Sequence, residues 1–294
     1  MILPDLVLAS RQNQIWSESG IDSLVECIDK AHFKSYPHSI EYRYNSRGFR
    51  DEEWPNDLTN TIWCLGDSFT VGIGSKLEHT WVNLLQKKLN QRCINVSMDG
   101  ASNTWIARKA INILTAIRPK LLVIHWSYFF RDEILDSTLS DERRRLAFSQ
   151  DISILGQLNL FSKCLNLIEQ QKQSTHIIHS FVPNGPPVYN LNRAEKEWDK
   201  LKGDQWPLLP IGLSAFDNLP TFIKTELHDD FNKYDIFKNV AEYTLTFDSI
   251  LNSVVSIPEL EQIDRARDGH HYDIVTATNF VEQLATVISA LPDH

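Results

Sequence analysis

Three short stretches of the chain carry side chains that could perform acyl chemistry together. In GDSFT, residues 66–70, Ser68 follows the strand-like run TIWCL and precedes a turn containing Gly72 and Gly74. A serine hydroxyl is a weak nucleophile until a neighbouring base takes its proton. In RARDGHHYD, residues 265–273, Asp268 and His271 stand three apart. One short loop could therefore supply both a base and the carboxylate that fixes its tautomer. In SMDGASNTW, residues 97–105, Gly100 falls at a strand-to-helix turn, where its N–H can point into a site as an oxyanion donor. Asn103 in the same stretch could donate from its side chain.

Each stretch also has a plainer use. Ser68 alone reads as a helix N-cap, Asp268 as a cap of the last helix, and Ser102 or Asn103 as a cap of the helix that follows them. His270 and His271 with Asp268 and Asp273 are metal-binding residue types, but adjacent side chains diverge in an extended loop. His125, inside the apolar run KLLVIHWS, reads as a hydrogen-bonded core histidine. Trp105, Trp126, Tyr128 and Phe129 gather near predicted strand ends. They could stack on a sugar ring and read more simply as core. His228, Asp229 and Asp230 have nothing near them to complete a metal site.

The elements that must position these groups follow a rhythm of strand and helix from Thr59 onward. The apolar runs are TIWCL (61–65), CINVSM (93–98), KLLVIHWS (120–127) and THIIHSFV (175–182). Helical patterns lie between them at 80–90, 104–117 and 141–171, and a last one spans 273–290. Strands alternating with helices predict a parallel sheet covered on both faces. A fifth strand falls in either TLTFDSI (244–250) or SVVSI (253–257). Residues 1–58 read as an N-terminal extension packing on a core of 59–294, with a helix at 20–32. Residues 183–235, framed by PNGPP and WPLLP, read as an insertion. In an open α/β sheet, ligands bind at the carboxyl ends of the strands, where GDSFT and SMDGASNTW fall; RARDGHHYD leads into the last helix.

At 294 residues the chain is long enough to bury a sizeable core. Its net charge of -9 argues against nucleic acid or an anionic membrane as partner. Arg143, Arg144 and Arg145 follow Asp141 and Glu142 and read as a solvated helix face. Cys27, Cys64, Cys93 and Cys164 are scattered without metal spacing and read as buried reduced thiols. The first ten residues lack the basic region of a signal peptide, and no run approaches the roughly 18 to 20 apolar residues of a membrane span. A cytoplasmic location is expected.

In their order along the chain, GDSFT, the glycine of DGASN and the D-x-x-H of DGHH resemble the SGNH (GDSL) hydrolase family. NSRGFRDEEWP is similar to the segment preceding the nucleophile strand in some of its branches. The likeness covers about residues 45–130 and 262–290. It implies a three-layer α/β/α, flavodoxin-like fold with a mainly parallel sheet; nothing in the chain indicates a cofactor. It further implies Ser68 as nucleophile, His271 as general base and Asp268 as its orienting carboxylate, with the Ser68 and Gly100 N–H groups forming an oxyanion hole. The implied activity is an esterase acting on a small-molecule or carbohydrate ester of a small acyl group such as acetyl. Acyl transfer by the same three residues, or a non-catalytic binding role, stays open. One element departs from the pattern. Where the family carries an asparagine in a G-x-N-D block, this chain reads HWSYFFRDE, residues 125–133. Ser127, Tyr128 or Arg131 could substitute as donor, or Asn103 could reach in from the neighbouring loop.

Overall fold

The computed structural model describes residues 6–27, 29–128, 154–183, 251–257 and 260–292. Its centre is a parallel sheet of β3 (Ile62–Gly66), β4 (Cys93–Ser97), β5 (Leu121–Trp126), β6 (His176–Phe181) and β7 (Ser256–Ile257). The strand order is β4-β3-β5-β6-β7. Counting only these strands in chain order gives 2-1-3-4-5, the flavodoxin-like winding. The register is continuous: Leu65 pairs with Val96 on one side and Ile124 on the other, and Ile124 pairs with His179.

Both faces of the sheet are buried because alternate residues of each strand feed different cores. Trp63, Leu65, Ile94, Val96, Leu122, Ile124 and Trp126 face one layer with α4 (Asn103–Ala116) and α5 (Ile154–Gln171). Ile62, Cys64, Cys93, Leu121, Val123 and Ile178 face the other, with α3 (Trp81–Leu89) and α6 (Ile274–Ser289). The protein is thus a three-layer α/β/α fold. Trp63, Trp81, Trp105 and Trp126 are each at most 1% exposed, which anchors both layers with large apolar side chains.

The chain before β3 contributes a two-stranded antiparallel ribbon, β1 (Ile15–Trp16) with β2 (Tyr42–Arg43), and a short helix, α1 (Lys30–Ser35). Leu6, Leu8 and Phe49 join the core on the α4 side. Ile40, Tyr42 and Tyr44 pack with Val71 and Ile73, in the turn that follows Ser68.

One sequence expectation changes and one open choice is resolved. The helix expected at 20–32 is confined to Lys30–Ser35, because Asp29 caps it there by accepting the Ala31 and His32 N–H groups at 3.1 and 2.9 Å. Residues 20–27 form turns instead, with Asp22 paired to Ser19 and Ser23 Oγ accepting the Glu26 N–H. Of the two candidates for the fifth strand, the segment 253–257 supplies it, as Ser256–Ile257 pairs with His179–Ser180. TLTFDSI, the insertion at 183–235 apart from Pro183, Arg143–Arg145 and Arg131 lie outside the described residues.

Candidate active site

The turn that carries Ser68 is built by Asp67. This residue is the N-cap of α2 (Ser68–Val71), its Oδ1 accepting the Phe69 N–H at 3.0 Å. Capping by the neighbour leaves the Ser68 hydroxyl for other use. As the first residue of the helix, Ser68 also has a backbone N–H with no intrahelical acceptor. The Ser68 side chain is buried just beyond the carboxyl end of β3, which lies between β4 and β5. That is where the winding of the sheet reverses and ligands of such sheets bind.

The same division of labour recurs before the last helix. Asp264 accepts N–H groups from Asp273, Val275 and Thr276 at 3.2, 2.7 and 3.0 Å, and so satisfies the start of α6. Asp268 is thereby free to organise its own turn. Its Oδ1 accepts the His270 and His271 N–H groups, each at 3.1 Å, and its Oδ2 meets His271 Nδ1 at 2.5 Å. A carboxylate at Nδ1 requires the proton there, which leaves Nε2 as an acceptor. His271 Nε2 lies 2.7 Å from Ser68 Oγ. The Phe69 ring, 4.5 Å from the His271 ring, packs the imidazole in place.

Burial alone pushes the His271 pKa down, but the charge and hydrogen bond of Asp268 outweigh it and hold the pKa above the ordinary 6.5. Burial likewise pushes Asp268 up, and the facing His271 outweighs this, holding the carboxyl below its ordinary 3.8. The pair therefore favours an imidazolium beside a carboxylate, which is what a base needs once it has taken a proton.

The third stretch is arranged differently from the other two. Ser102 caps α4 by accepting the Trp105 N–H at 3.1 Å, and Gly100 adopts the left-handed conformation at φ +72°. Asn103 turns toward the loop after β5. Its Oδ1 accepts the Ser127 N–H at 2.8 Å and its Nδ2 donates to the Ser127 carbonyl at 3.2 Å. Ser127 Oγ donates to Asp67 Oδ2 at 2.6 Å. The side chains of Asn103 and Ser127 thus tie the loops after β3, β4 and β5 to one another.

His125 is fully buried, with Nδ1 2.9 Å from Ser180 Oγ and Nε2 3.5 Å from the Tyr272 hydroxyl. Burial lowers its pKa to about 3, so it stays neutral in the core. Trp105 and Trp126 are core residues too: Trp126 stacks on His179 and donates to its Nδ1 at 3.0 Å. Tyr128, also buried, packs edge-on against Phe69. Among the described residues, no group of three His, Cys, Asp or Glu side chains is placed to hold a metal ion. No described helix is long and apolar enough to cross a membrane.

The structure brings Ser68, Asp268 and His271 together. Sequence reasoning missed Asp67 and Asp264, the two carboxylates that free the others. Their signal was present as an acidic residue one before Ser68 and four before Asp268, but either neighbour in each turn could have taken the capping role.

No family model and no curated protein matches the chain. Among solved structures it is similar to TesA, at 15% identity over 78% of this chain and 97% of that one, with a TM-score of 0.42. It is also similar to a family two carbohydrate esterase from Clostridium thermocellum in complex with cellohexaose. The identity there is 13%, over 81% of this chain and 66% of that one, with a TM-score of 0.43. A third is the psychrotrophic esterase EstA from Pseudoalteromonas sp., at 16% identity over 78% and 97%, with a TM-score of 0.40. Likeness at this level does not carry an activity from those proteins to this one.

Proposed function

We propose that this chain is a serine esterase of the SGNH type, cleaving a small acyl group such as acetyl from an alcohol. The observation that carries the reading is the alignment of Ser68 Oγ, His271 and Asp268 at 2.7 and 2.5 Å in one buried site. Ser68 Oγ attacks the ester carbonyl carbon while its proton passes to His271 Nε2. Asp268 stays ionised and stabilises the imidazolium. The Ser68 and Gly100 N–H groups stabilise the tetrahedral oxyanion. Collapse breaks the carbon–oxygen bond to the alcohol, which leaves with the proton from His271. Water then attacks the acyl-serine, gives its proton to His271, and releases the acid with Ser68 restored.

The absence of an asparagine after β5 fits an oxyanion hole with fewer side-chain donors. Asn103 and Ser127 spend the donors described above on the loops and on Asp67. One donor fewer is worth about a hundredfold to a thousandfold in rate, so modest turnover is expected on simple esters.

The test is hydrolysis of 4-nitrophenyl esters of increasing acyl length, with acetylated sugars as a second panel. The reading predicts turnover that falls with acyl length and drops by at least about a thousandfold in Ser68→Ala. Faster acyl transfer to an added sugar hydroxyl than to water would identify a transferase using the same residues. No Ser68-dependent turnover on any ester would leave a binding protein that keeps the fold.

A further inference from the structure

Gly74 marks the point where the nucleophile turn passes over the acid–base loop. Its backbone is left-handed at φ +79°, and a Cβ there would lie 2.8 Å from Ala266 Cβ and 2.9 Å from Asp268 Oδ1. Both of its backbone polar groups belong to a closed ring of four residues. The Gly74 N–H donates to Tyr42 Oη at 2.8 Å, and the Tyr42 hydroxyl donates to Asp22 Oδ2. Arg267 forks onto the same carboxylate, Nε to Oδ1 at 2.9 Å and Nη2 to Oδ2 at 2.7 Å. The Arg267 N–H then donates back to the Gly74 carbonyl at 2.8 Å.

This ring joins the two halves of the candidate site. Gly74 stands six residues after Ser68, and Arg267 immediately precedes Asp268. Asp22 and Tyr42 come from the segment before β3, and both are fully buried. Arg50 braces the same turn from that segment. Its Nη1 donates to the Gly72 carbonyl at 2.5 Å and its Nη2 to the Ser75 carbonyl at 2.8 Å, with the guanidinium over the Tyr42 ring. A buried ion pair is a poor way to add stability, since apolar side chains of similar volume often do as well or better. What apolar side chains could not do is fix direction. A bidentate carboxylate–guanidinium pair holds both partners at one angle as well as one distance.

We infer that Asp22 and Tyr42 are positioning residues that set the register between Ser68 and His271. The kinetic consequence rests on the esterase reading; the geometric one does not. Arg92→Ala serves as the control. It breaks the Asp51–Arg92 pair, 2.8 Å long and outside the ring, and is expected to lower Tm alone.

Two readouts are taken on wild type, Tyr42→Phe, Asp22→Asn and Arg92→Ala, each shown folded by near-ultraviolet circular dichroism. One is the rate of Ser68 phosphonylation by a fluorophosphonate, and the other is the NMR titration of the His271 ring. Misplacement of reacting groups by about 1 Å costs roughly a hundredfold, and that slowing is expected in Tyr42→Phe and Asp22→Asn. The His271 titration should fall toward 6.5 in both and stay unchanged in Arg92→Ala. Should Asp22→Asn fail to fold, Tyr42→Phe, which removes a single oxygen, carries the test. A folded Tyr42→Phe with the wild-type titration of His271 and the wild-type labelling rate would overturn the inference. A wild type unlabelled at Ser68, whose His271 titration still shifts in Tyr42→Phe, would uphold the positioning role while sinking the esterase reading.

Discussion

Ser68 Oγ and His271 Nε2 stand 2.7 Å apart although 203 residues separate them in the chain. Neither side chain is held there by its own cap. Asp67 and Asp264 satisfy the two helix starts, and the Ser68 hydroxyl and His271 imidazole are left facing each other.

If Ser68 and His271 act as one unit, their losses should not add. Ser68→Ala, His271→Ala and the double variant are each expected to lower kcat by at least about a thousandfold, to a common floor. Steady-state kinetics on one acetyl ester will check this. Losses that multiply would show that the two residues act independently.

The pH profile follows from the direction of the His271 shift. The working base is neutral His271, so activity should rise with pH through a midpoint above 6.5. Asp268→Asn removes the cause of the upward shift, so the residual activity should titrate at lower pH. Its kcat should fall by about four orders of magnitude, through loss of the correct tautomer. A profile of kcat/KM against pH for both proteins provides the test.

Stability should show the same pair from the other side. The raised His271 pKa contributes stability present below 6.5 and lost as pH climbs through the folded value. The lowered Asp268 pKa contributes stability present above 3.8 and lost as pH drops through the folded value. The stabilising window thus lies between those two ordinary values. The Tm difference between wild type and Asp268→Asn should peak inside it and shrink outside it.

His125 offers the contrast of a histidine with no part in the chemistry. Its pKa of about 3 keeps it neutral at working pH, between Ser180 and Tyr272. His125→Phe takes the partner from the buried Tyr272 hydroxyl, at a cost of about 1–3 kcal/mol, while Ser180 Oγ keeps the Ile124 carbonyl at 3.3 Å. Denaturant unfolding should show the loss of stability, while the midpoint of the pH–activity profile stays where it was.

Much of the fold could be read from short, continuous apolar runs. TIWCL and KLLVIHWS are apolar on both faces, the pattern of a parallel strand covered twice, and they became β3 and β5. The three chemical stretches were legible because each lies at a strand end or before a helix. The division between Asp67 and Ser68, or between Asp264 and Asp268, was not. Capping depends on which carboxylate reaches the free N–H groups, and either neighbour has the right chemistry. The ring through Gly74 was hidden for another reason. Asp22 and Arg267 are 245 residues apart, a pairing without any local period. The helix expected at 20–32 failed because Asp22 is committed to Arg267 and Asp29 starts the helix later.

The most direct test of the central claim is fluorophosphonate labelling of wild type and His271→Ala, with the modified residue located by peptide mass spectrometry. The account predicts a Ser68 adduct in wild type, formed at least about a hundredfold more slowly without His271. Under conditions that label a known serine esterase, no adduct at Ser68, or one that forms equally fast in His271→Ala, would contradict it.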